Sequence, residues 1–576
     1  MVNKFKYFLP IIIVIVISLL STHRLFQPGY LSMQDDMHVF RLQQLDKCFQ
    51  DKQIPCRYVP DAGIGYGYPL FNFYSPAPYY LAQFFHTIGF SFIDSIKATF
   101  TSIHLLAGVG MFLFASLFWG TKGAILSSIF FIFAPYRALD SFVRGAIAEL
   151  MALSLLPWAF WSITNYLKKY SRKHLLSSTL ILSLLFLSHN LLALVSLLIL
   201  LPYITIIILN KKITLKKFLY KAILSLLPIL FSLGISSFFL LPALLEKNLV
   251  NTHTMTQGYF YYVNHFATLK QLFFSHDWGF GASLWGPIDD MSFQVGYLHW
   301  LLPLIIFTYL AFKHKNKDKN IIKLRKYYLF FFILAIFSLF LTHNKSTFIW
   351  TNLPFMAYFQ FPWRFLAIAT FTLSFLSGTL ITLLPKWKIP TLIIISISVI
   401  LLNFNYFKED IWFPNMTDNI KLSPENIIAQ SGAGLKDYWP KYGTNFPDIY
   451  ATQDITSPDG DIKVLGFTKK SNQLESSVLI LSSKATLFFP LVYYPNWTIS
   501  INGKPQAISF DDKLGQIKIE LEQGTYQIEL NYHQSTIAKF SNTLSLLSLL
   551  IILISFSLNL PQNFTLLFKN KKIATN

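Results

Sequence analysis

The chain has 576 residues, 53% of them hydrophobic, and carries 48 Lys and Arg against 28 Asp and Glu, a formal net charge of +20. Such a charge can mark a nucleic-acid partner, but half of the basic residues lie in short junctions between apolar runs. Residues 405–540, the one large polar segment, contain 15 acidic residues, 12 Lys and no Arg. The sequence therefore excludes nucleic acid as a partner and predicts a protein of the lipid bilayer.

Twelve apolar runs approach the length of about 20 residues that a helix needs to cross a bilayer. The spans are predicted at 7–22, 97–119, 124–136, 149–167, 175–189, 190–209, 218–241, 295–312, 327–342, 365–384, 390–404 and 541–560. The first run has no small-residue cleavage site after it, so we expect a retained anchor. This pattern predicts an α-helical polytopic membrane protein with about 12 transmembrane helices.

Basic residues gather at every second junction between these spans. They are Lys4 and Lys6; Lys122; Lys168, Lys169, Arg172 and Lys173; Lys211, Lys212, Lys216, Lys217 and Lys221; Lys313, Lys315, Lys317, Lys319, Lys323, Arg325 and Lys326; Lys386 and Lys388; and Lys569, Lys571 and Lys572. Lys and Arg in short loops mark the cytoplasmic side. We therefore expect both termini in the cytoplasm of a bacterium and the other loops on the outer face of its cytoplasmic (inner) membrane.

The first outward loop, residues 23–91, holds the leading candidates for catalysis. Asp35 and Asp36 precede His38 and Arg41, and Ser32 stands three residues before Asp35 in the pattern of a helix capping box. Asp35 can be a helix cap or a catalytic carboxylate, whereas Asp36 has no capping role and is the sharper catalytic candidate. Ions bound through these carboxylates would be hard, Mg²⁺ or Mn²⁺, but the pair alone does not establish a metal site.

The same loop continues with aromatic residues around three alternate glycines. Arg57 precedes this stretch, Gly63, Gly65 and Gly67 lie within it, and Tyr74 is near its end. A nucleotide fingerprint needs a preceding strand and a following helix, and neither is predicted here. The stretch suits a sugar ring or a polyprenyl chain, or else it belongs to an aromatic belt at the membrane interface.

Arginine is distributed differently from lysine. Six of the eight Arg lie in outward loops or at the outer ends of spans: Arg24, Arg41, Arg57, Arg137, Arg144 and Arg364. The planar guanidinium fork suits phosphate and carboxylate, so these residues predict an anion-binding outer face. The alternative is that each Arg pairs with a nearby acid, as Arg137 or Arg144 could with Asp140 or Glu149, or extends to lipid headgroups.

Cysteine and histidine leave two questions open. Cys48 and Cys56, the only two Cys, both lie in the first outward loop, where either a disulfide or two buried thiols is consistent with the sequence. The 13 His are scattered and show no spacing typical of metal ligands. His189 and His265 are therefore expected to be structural or to donate hydrogen bonds.

The polar segment 405–540 alternates in strand fashion in its second half. Strands are predicted at 476–481, 485–494, 497–501, 516–521 and 526–532, with turns at Asn502-Gly503, 511–515 and Gln523-Gly524. This pattern predicts a C-terminal extracytoplasmic β-sandwich between two spans.

Several of these motifs resemble one bacterial family. The order Asp35-Asp36, Arg41, Arg57-Tyr58-Val59-Pro60 and then Gly65-Tyr66-Gly67-Tyr68-Pro69 resembles proteins of the 6-pyruvoyl-tetrahydropterin-synthase-related membrane domain. Shorter matches follow at Tyr136-Arg137 with Asp140, Arg144-Gly145-Ala146 with Glu149, Ser188-His189-Asn190, Leu241-Pro242-Ala243 with Glu246, Phe361-Pro362-Trp363-Arg364, and Tyr494 to Trp497. That family is in turn similar to YfhO-like proteins and to the GT-C glycosyltransferases.

The GT-C resemblance implies a function. Such enzymes transfer a sugar from a polyprenyl-phosphate carrier to an acceptor on the outer face, with an acidic residue of the first outward loop as general base. It implies Asp36 or Asp35 as the base, and cations such as Arg137, Arg144 and Arg364 to stabilise the departing phosphate. The remaining substrate-binding candidates are His38, Arg41, Arg57, Tyr74, Glu149, His189, Glu246 and His265.

The expected organisation is a GT-C-like transmembrane domain at 1–404, a largely β domain at 405–540, and a last span with a basic tail at 541–576. The expected partners are a polyprenyl-phosphate-linked sugar, a glycan, lipid or protein acceptor, and the lipid bilayer. Two alternatives to a cell-envelope glycosyltransferase stay open: a transporter or flippase of lipid-linked glycans, and a non-catalytic envelope-assembly protein.

Overall fold

The computed structural model describes residues 2–209, 213–284, 286, 289–312, 319–431 and 436–557. Parts of three predicted basic junctions, Lys211 with Lys212, Lys313 to Lys317, and the tail from Lys569 to Lys572, lie outside these residues. The α-helices of the described part are α1 Val2–Leu20, α2 His38–Gln50, α3 Leu70–Phe73, α4 Ala77–Thr87, α5 Phe92–Ile132, α6 Pro135–Ala138, α7 Ile147–Lys169, α8 Arg172–Ser188, α9 Asn190–Ile208, α10 Leu215–Leu245, α11 Leu269–Phe273, α12 Tyr297–Phe312, α13 Lys319–Leu341, α14 Thr347–Asn352, α15 Leu366–Ser377, α16 Thr379–Leu383, α17 Lys388–Asn403, α18 Asp418–Lys421, α19 Pro424–Ser431 and α20 Thr536–Ser557.

Within the described residues each predicted apolar run is largely helical, but the count of twelve spans is not confirmed. Within the described residues, 8 helical stretches are long and apolar enough to cross a membrane, and α12 and the apolar part of α1 are shorter. The predicted spans 97–119 and 124–136 form one helix, α5, with a kink at Gly120, where φ is +67°. α7 is buried on nearly all sides, whereas α17 and α20 leave most of their apolar side chains exposed, as lipid-facing helices do.

Loops predicted on the same side of the membrane contact one another. Among the loops predicted to face outward, the links are Arg24 with Glu409, Gln34 with Phe280, Asn251 with Trp439, and Gln360 with Met255. At the Lys-rich junctions, Tyr166 donates a hydrogen bond to the carbonyl of Leu224, and Lys326 donates one to the carbonyl of Ile206. The Lys-rich junctions thus contact one another, and so do the Lys-poor loops. This agrees with the predicted alternation of the two kinds of junction along the chain.

The strands from β3 onward form one hydrogen-bonded sheet, and β1 and β2 form a separate two-stranded pair. β1 Tyr30–Leu31 pairs with β2 Trp412–Phe413, and a separate antiparallel sheet has the order β3-β4-β8-β5-β6 with β7 on β8. Its strands are β3 Ile462–Lys469, β4 Gln473–Val492, β5 Trp497–Ile501, β6 Lys504–Gln506, β7 Ser509–Phe510 and β8 Gln516–Tyr532. A largely β C-terminal region is therefore confirmed, and a sandwich is not.

The strand boundaries differ from the prediction because β4 and β8 pair along almost their whole length. Their register shifts between Ile480 and Lys484 without ending the ladder, so the residues in excess bulge out. The predicted turn at Gln523-Gly524 is consequently part of β8. By contrast, the turn at Asn502-Gly503 joins β5 to β6 with both residues at positive φ, as a two-residue hairpin requires.

The two cysteines form a disulfide. Cys48, near the end of α2, is bonded to Cys56, and both residues are buried. Of the two open possibilities, the structure therefore contains the covalent one. The bridge closes the short segment that joins α2 to the glycine-rich stretch.

Candidate active site in two adjoining charged clusters

The segment that carries the two aspartates lies against the loop that carries Arg144. The backbone N–H of Asp35 donates to the carbonyl of Arg144 at 2.8 Å, and Gln34 N–H donates to the carbonyl of Val143 at 2.9 Å. Gly145 has a φ of +68°, and a Cβ added there would lie 2.4 Å from the sulfur of Met33. Only glycine permits this backbone together with so close an approach.

The predicted capping box does not form. α2 begins at His38 with Met37 as its N-cap residue, and no side chain caps it. Ser32 instead accepts a hydrogen bond from the backbone N–H of Ile411 at 3.0 Å. The segment around Asp35 is held by its bonds to the loop of Arg144 rather than by the helix, so the capping interpretation of Asp35 is wrong.

Asp35 belongs to an ion pair with aromatic neighbours. Arg41 Nη1 lies 3.0 Å from Asp35 Oδ1, and Tyr74 donates its hydroxyl to Asp35 Oδ2 at 3.1 Å. The Arg41 guanidinium also lies 4.2 Å from the centroid of the Tyr74 ring. Burial works to raise the pKa of Asp35, but the charge of Arg41 and these hydrogen bonds outweigh it and lower the pKa below its usual value.

Asp36 has the opposite electrostatic environment. Burial, helped by the charge of Asp35, raises the pKa of Asp36 to about 6, although Lys421 opposes this shift through an ion pair with Asp36 Oδ2. The side chain of Asp36 is 20% exposed and that of Lys421 is 4% exposed. Two adjacent carboxylates with pKa values pushed apart are typical of an acid–base site. We call Asp35, Asp36, Arg41, Tyr74 and Lys421 the carboxylate site.

Residues that the sequence did not single out complete this region. Lys421 lies far along the chain from Asp36, and no local pattern distinguishes it from the other Lys of residues 405–540. Asp437 accepts a hydrogen bond from Thr254 at 3.3 Å. Burial raises its pKa to about 6 against the lowering influence of Thr254 and Arg41. The next residue, Tyr438, stacks on Phe73 with ring centroids 5.5 Å apart.

His38 joins the two loops rather than facing an open site. It is fully buried, its Nε2 is hydrogen-bonded to the carbonyl of Gly145, and its Nδ1 lies 2.9 Å from the hydroxyl of Tyr79. Burial lowers the pKa of His38 to about 4, so the imidazole is neutral at physiological pH. It is suited to orienting the loops rather than to binding an anion.

A second cluster lies on the other side of the loop 143–145. Arg144 forms ion pairs with Asp140 and, at 3.1 Å, with Glu149, and Arg364 Nε lies 3.3 Å from the same Glu149 oxygen. Tyr136 donates to the other Glu149 oxygen at 2.5 Å. We call Tyr136, Asp140, Arg144, Glu149 and Arg364 the guanidinium cluster. Of the two interpretations of Arg144, the structure thus supports pairing with nearby acids.

The local backbone explains this convergence. Leu139–Val143 forms a π-helical turn, a rare element that is frequent at functional sites, and α7 follows with Glu149 in its first turn. Arg364 comes from the turn before α15. The Arg144 guanidinium also lies 4.5 Å from the ring centroid of Trp363, which fixes its plane.

Arg24 and Arg57 are placed apart from these clusters, whereas the charge of Arg137 interacts with that of Asp140 in the guanidinium cluster. Arg24 pairs with Glu409, and the fully buried Arg137 donates to Ser154 at 2.9 Å. Arg57 donates to Asn72 at 2.9 Å, to the carbonyl of Phe238 at 2.9 Å and to Asn542 at 2.7 Å. Glu246 accepts hydrogen bonds from Asn72, Tyr494 and Ser535 in the same region. Arg57 and Glu246 therefore belong to a buried network that links the first loop, α10, α20 and the large sheet.

The two other candidate histidines lie near the guanidinium cluster. His189 lines a small cavity together with Glu149 and Arg364, and its Nδ1 accepts from the backbone of Leu192 at 3.2 Å. His265 is buried, with its Nδ1 2.9 Å from the Ser283 hydroxyl and its ring centroid 4.7 Å from that of Phe361. His189 is thus placed at the cluster, whereas His265 supports the turn that carries Arg364.

The described residues do not fit a divalent metal ion. Asp35 and Asp36 are each paired with a cationic side chain. No group of three or more His, Cys, Asp or Glu suitable for a metal occurs in the part of the chain that the structure describes. An Mg²⁺ or Mn²⁺ ion needs several oxygen ligands, and here it would have to displace Arg41 or Lys421.

The glycine-rich aromatic stretch is packed inside the protein. A Cβ added to Gly63 would lie 2.4 Å from Trp439, and one added to Gly65 would lie 2.8 Å from Tyr450. Both positions are buried. This stretch is an interface with the extramembrane region rather than an exposed sugar-binding surface or a membrane belt.

An apolar cavity of about 450 Å³ lies between helices that carry, or directly follow or precede, residues of the two clusters. Its wall comes from α4, α5, α7, α8 and α10, and it is lined by Pro76, Ala77, Tyr80, Leu81, Phe84, Leu106, Met151, Leu184, Leu187 and Phe238. Tyr74 lies just before α4, Glu149 lies on α7 and His189 follows α8. The same elements therefore carry the polar residues and the cavity wall.

Comparisons with known proteins give one family and several distant structures. Residues 71–408 match the model for the 6-pyruvoyl-tetrahydropterin synthase related domain, a membrane protein family. No curated protein matches the chain by sequence. Crystal structures of the Archaeoglobus fulgidus oligosaccharyltransferase are similar at 12% identity: the apo form with a TM-score of 0.44, and a form tethered to an acceptor peptide containing the NVT sequon with 0.40.

The match with the apo oligosaccharyltransferase covers 78% of this chain and 61% of that enzyme. The form tethered to the acceptor peptide is covered to a similar extent, 78% of this chain and 60% of that chain. Because the family match at residues 71–408 spans more than half of the chain, the protein belongs to the 6-pyruvoyl-tetrahydropterin synthase related family of membrane proteins.

Proposed function

We propose that the protein is a membrane glycosyltransferase that moves a sugar from a polyprenyl-phosphate donor to a cell-envelope acceptor. The observation that carries this proposal is the contact between the carboxylate site and the guanidinium cluster, made by the 2.8 Å hydrogen bond from Asp35 N–H to the carbonyl of Arg144. Glycosyl transfer from a phosphate needs a base and a set of cations close together. The acceptor is a glycan, a lipid or a protein.

In the proposed reaction, Asp36 accepts the proton of the acceptor hydroxyl. The acceptor oxygen forms a bond to the anomeric carbon, the bond from that carbon to the phosphate oxygen breaks, and the electron pair leaves with the polyprenyl phosphate. Direct attack on the anomeric carbon inverts its configuration. No oxidant or reductant is consumed.

The guanidinium cluster is suited to the departing phosphate. Arg144 and Arg364 already converge on one oxygen of Glu149, so their donors point toward a common place. A phosphate presents several such oxygens and accepts paired N–H donors. For these arginines to stabilise the negative charge that develops on the leaving group, the phosphate would take the place of Glu149 as their partner.

The apolar cavity is suited to the polyprenyl chain, and this role can be tested by filling it. We expect Leu187→Trp, inside the cavity, to raise the KM for a long-chain donor about 10-fold or more and to leave a short-chain donor nearly unaffected, because only the long chain needs the cavity. The assay is transfer from a radiolabelled polyprenyl-phosphate sugar in membrane vesicles.

Leu180→Trp is the matched control, because Leu180 is on the same helix but 42% exposed and outside the cavity lining. Equal effects of the two substitutions, or an equal effect of Leu187→Trp on both donors, would assign the chain to another surface.

The proposal also fixes an orientation, with both termini in the cytoplasm and the catalytic loops and residues 405–540 on the outer face of a bacterial cytoplasmic membrane. We expect reporters placed after residues 170 and 320 to report the cytoplasm, and one inserted at 470, in the turn between β3 and β4, to report the exterior. Paired activity of alkaline phosphatase and green fluorescent protein fusions measures this. An exterior signal at 320 would reverse the whole assignment.

A further inference from the structure

The segment that follows α17 runs along the start of the first outward loop. Glu409 forms an ion pair with Arg24, Ile411 N–H donates to Ser32 Oγ at 3.0 Å, and β2 pairs with β1. We call residues 409–421 the docking segment. Its contacts extend the length of residues 24–36, so this extramembrane segment is placed directly beside the two aspartates.

The end of the docking segment is attached to the start of α5. Asp418, the first residue of α18, accepts hydrogen bonds from the backbone N–H groups of Phe92 at 2.8 Å and Ile93 at 3.0 Å. These N–H groups have no partner within their own helix, and an anion is favoured at this end of a helix. α18 is thereby held in one position, with Lys421 as its last residue.

Lys421 is aimed at Asp36. Its ammonium group is hydrogen-bonded to Asp36 Oδ2 and lies 5.1 Å from the centroid of the Tyr30 ring. With 4% of its side chain exposed, Lys421 is largely removed from solvent. A lysine is rarely buried to this extent unless it is paired.

We propose that Lys421 is a positioning residue that holds Asp36 as a carboxylate anion, ready to take the acceptor's proton. This inference rests on the proposed function and extends it to the extramembrane region. The docking segment would then supply a part of the catalytic machinery that the membrane helices lack.

The charges around Asp36 support this role. Asp35, on the same loop, repels a second negative charge, and Tyr30, on β1, supplies an aromatic face. Arg41 and the neutral His38, on α2, are directed to Asp35 and to Gly145. Burial and Asp35 both raise the pKa of Asp36, and Lys421 lowers it. Removing Lys421 would take away this lowering influence and so favour the protonated acid, which cannot act as a base.

The inference predicts a shift in the pH profile of transfer. Transfer requires ionised Asp36, so wild-type activity is present above a pH of about 6 and is lost as the pH falls through it. An opposite charge at hydrogen-bonding distance lowers a carboxyl pKa by about 1 to 3 pH units. We therefore expect Lys421→Met to move the acidic limb of kcat upward by that amount. Activity should be low at pH 7 and recover at high pH with KM little changed.

Three comparisons make this test specific. Lys421→Arg keeps the charge and should keep most of the wild-type pH profile. Lys408→Met removes an exposed lysine from the residues just before the docking segment and should change nothing. Infrared titration of the protonated-carboxyl band that disappears in Asp36→Asn reads the ionisation of Asp36 directly, with no substrate present.

The outcomes separate this inference from the proposed function. A raised infrared midpoint in Lys421→Met supports the inference even if no sugar is transferred by any variant, which would contradict the function alone. Transfer with an unmoved acidic limb would overturn the inference while the function stands. Higher activity of Lys421→Met at pH 7 would also overturn it, because Lys421 would then be blocking Asp36.

Discussion

Asp36→Asn is expected to reduce sugar transfer by about 10²- to 10⁴-fold, the usual contribution of a general base. The amide keeps the shape of the side chain and a hydrogen-bond acceptor for Lys421, but it cannot take a proton. The loss should therefore fall on kcat, with KM for the donor little changed. Transfer of label from a polyprenyl-phosphate sugar in vesicles, normalised to the amount of inserted protein, measures it.

The neighbouring acids provide controls for this result. Asp410→Asn, an exposed position in the docking segment, should leave transfer unchanged. Asp35→Asn should reduce transfer less than Asp36→Asn does, because Asp35 is engaged by Arg41 and Tyr74 and orients them.

Wild-type transfer by the double variant Asp35→Asn with Asp36→Asn would end the enzyme interpretation at this site. Movement of intact lipid-linked sugar across the vesicle membrane in that variant would favour the transporter instead.

Glu149→Gln is expected to lower the free energy of unfolding by about 3–5 kcal/mol, the usual cost of breaking a buried ion pair from one side. Glu149 is 3% exposed and faces both Arg144 and Arg364. Its amide would leave two buried guanidinium groups sharing the single charge of Asp140. Denaturation of the detergent-solubilised protein, followed by tryptophan fluorescence, measures the change.

Two further variants test whether the loss of stability comes from the broken buried ion pair. Glu520→Gln removes an acid whose ion pair with Lys484 is half exposed, and should change stability by less than about 1 kcal/mol. Glu149→Gln combined with Arg364→Gln should recover part of the loss, because one unpaired buried charge is removed with its partner. If Glu149→Gln were as stable as Glu520→Gln, the guanidinium cluster would not be the buried network that the distances indicate.

The sequence alone predicts the structural features that depend on a local physical requirement. Within the described residues, each of the twelve predicted apolar runs is largely helical, because the bilayer demands long apolar segments with internal backbone hydrogen bonding. The hairpin at Asn502-Gly503 was predicted for a similar reason, since its two residues tolerate the positive φ that the turn requires. Asp36 was selected because it has no capping role, and Arg144 and Arg364 because a guanidinium fork suits phosphate and carboxylate; their function as site residues stays a prediction.

Only the tertiary structure shows which residues contact Asp36, Asp35 and the glycine-rich stretch. Lys421 is far from Asp36 in the sequence. The strand pair β1–β2 and the helix α18 bring the two residues together, and both elements are too short to be predicted from a sequence pattern. Asp35 was predicted to cap α2, but it pairs with Arg41 instead. Hydrogen bonds to the backbone of residues 143 and 144 hold its segment outside the helix. The aromatic glycine stretch became an interface because the extramembrane region covers it. Hydropathy reports which segments avoid water, whereas the partner of a buried charge depends on how distant segments pack.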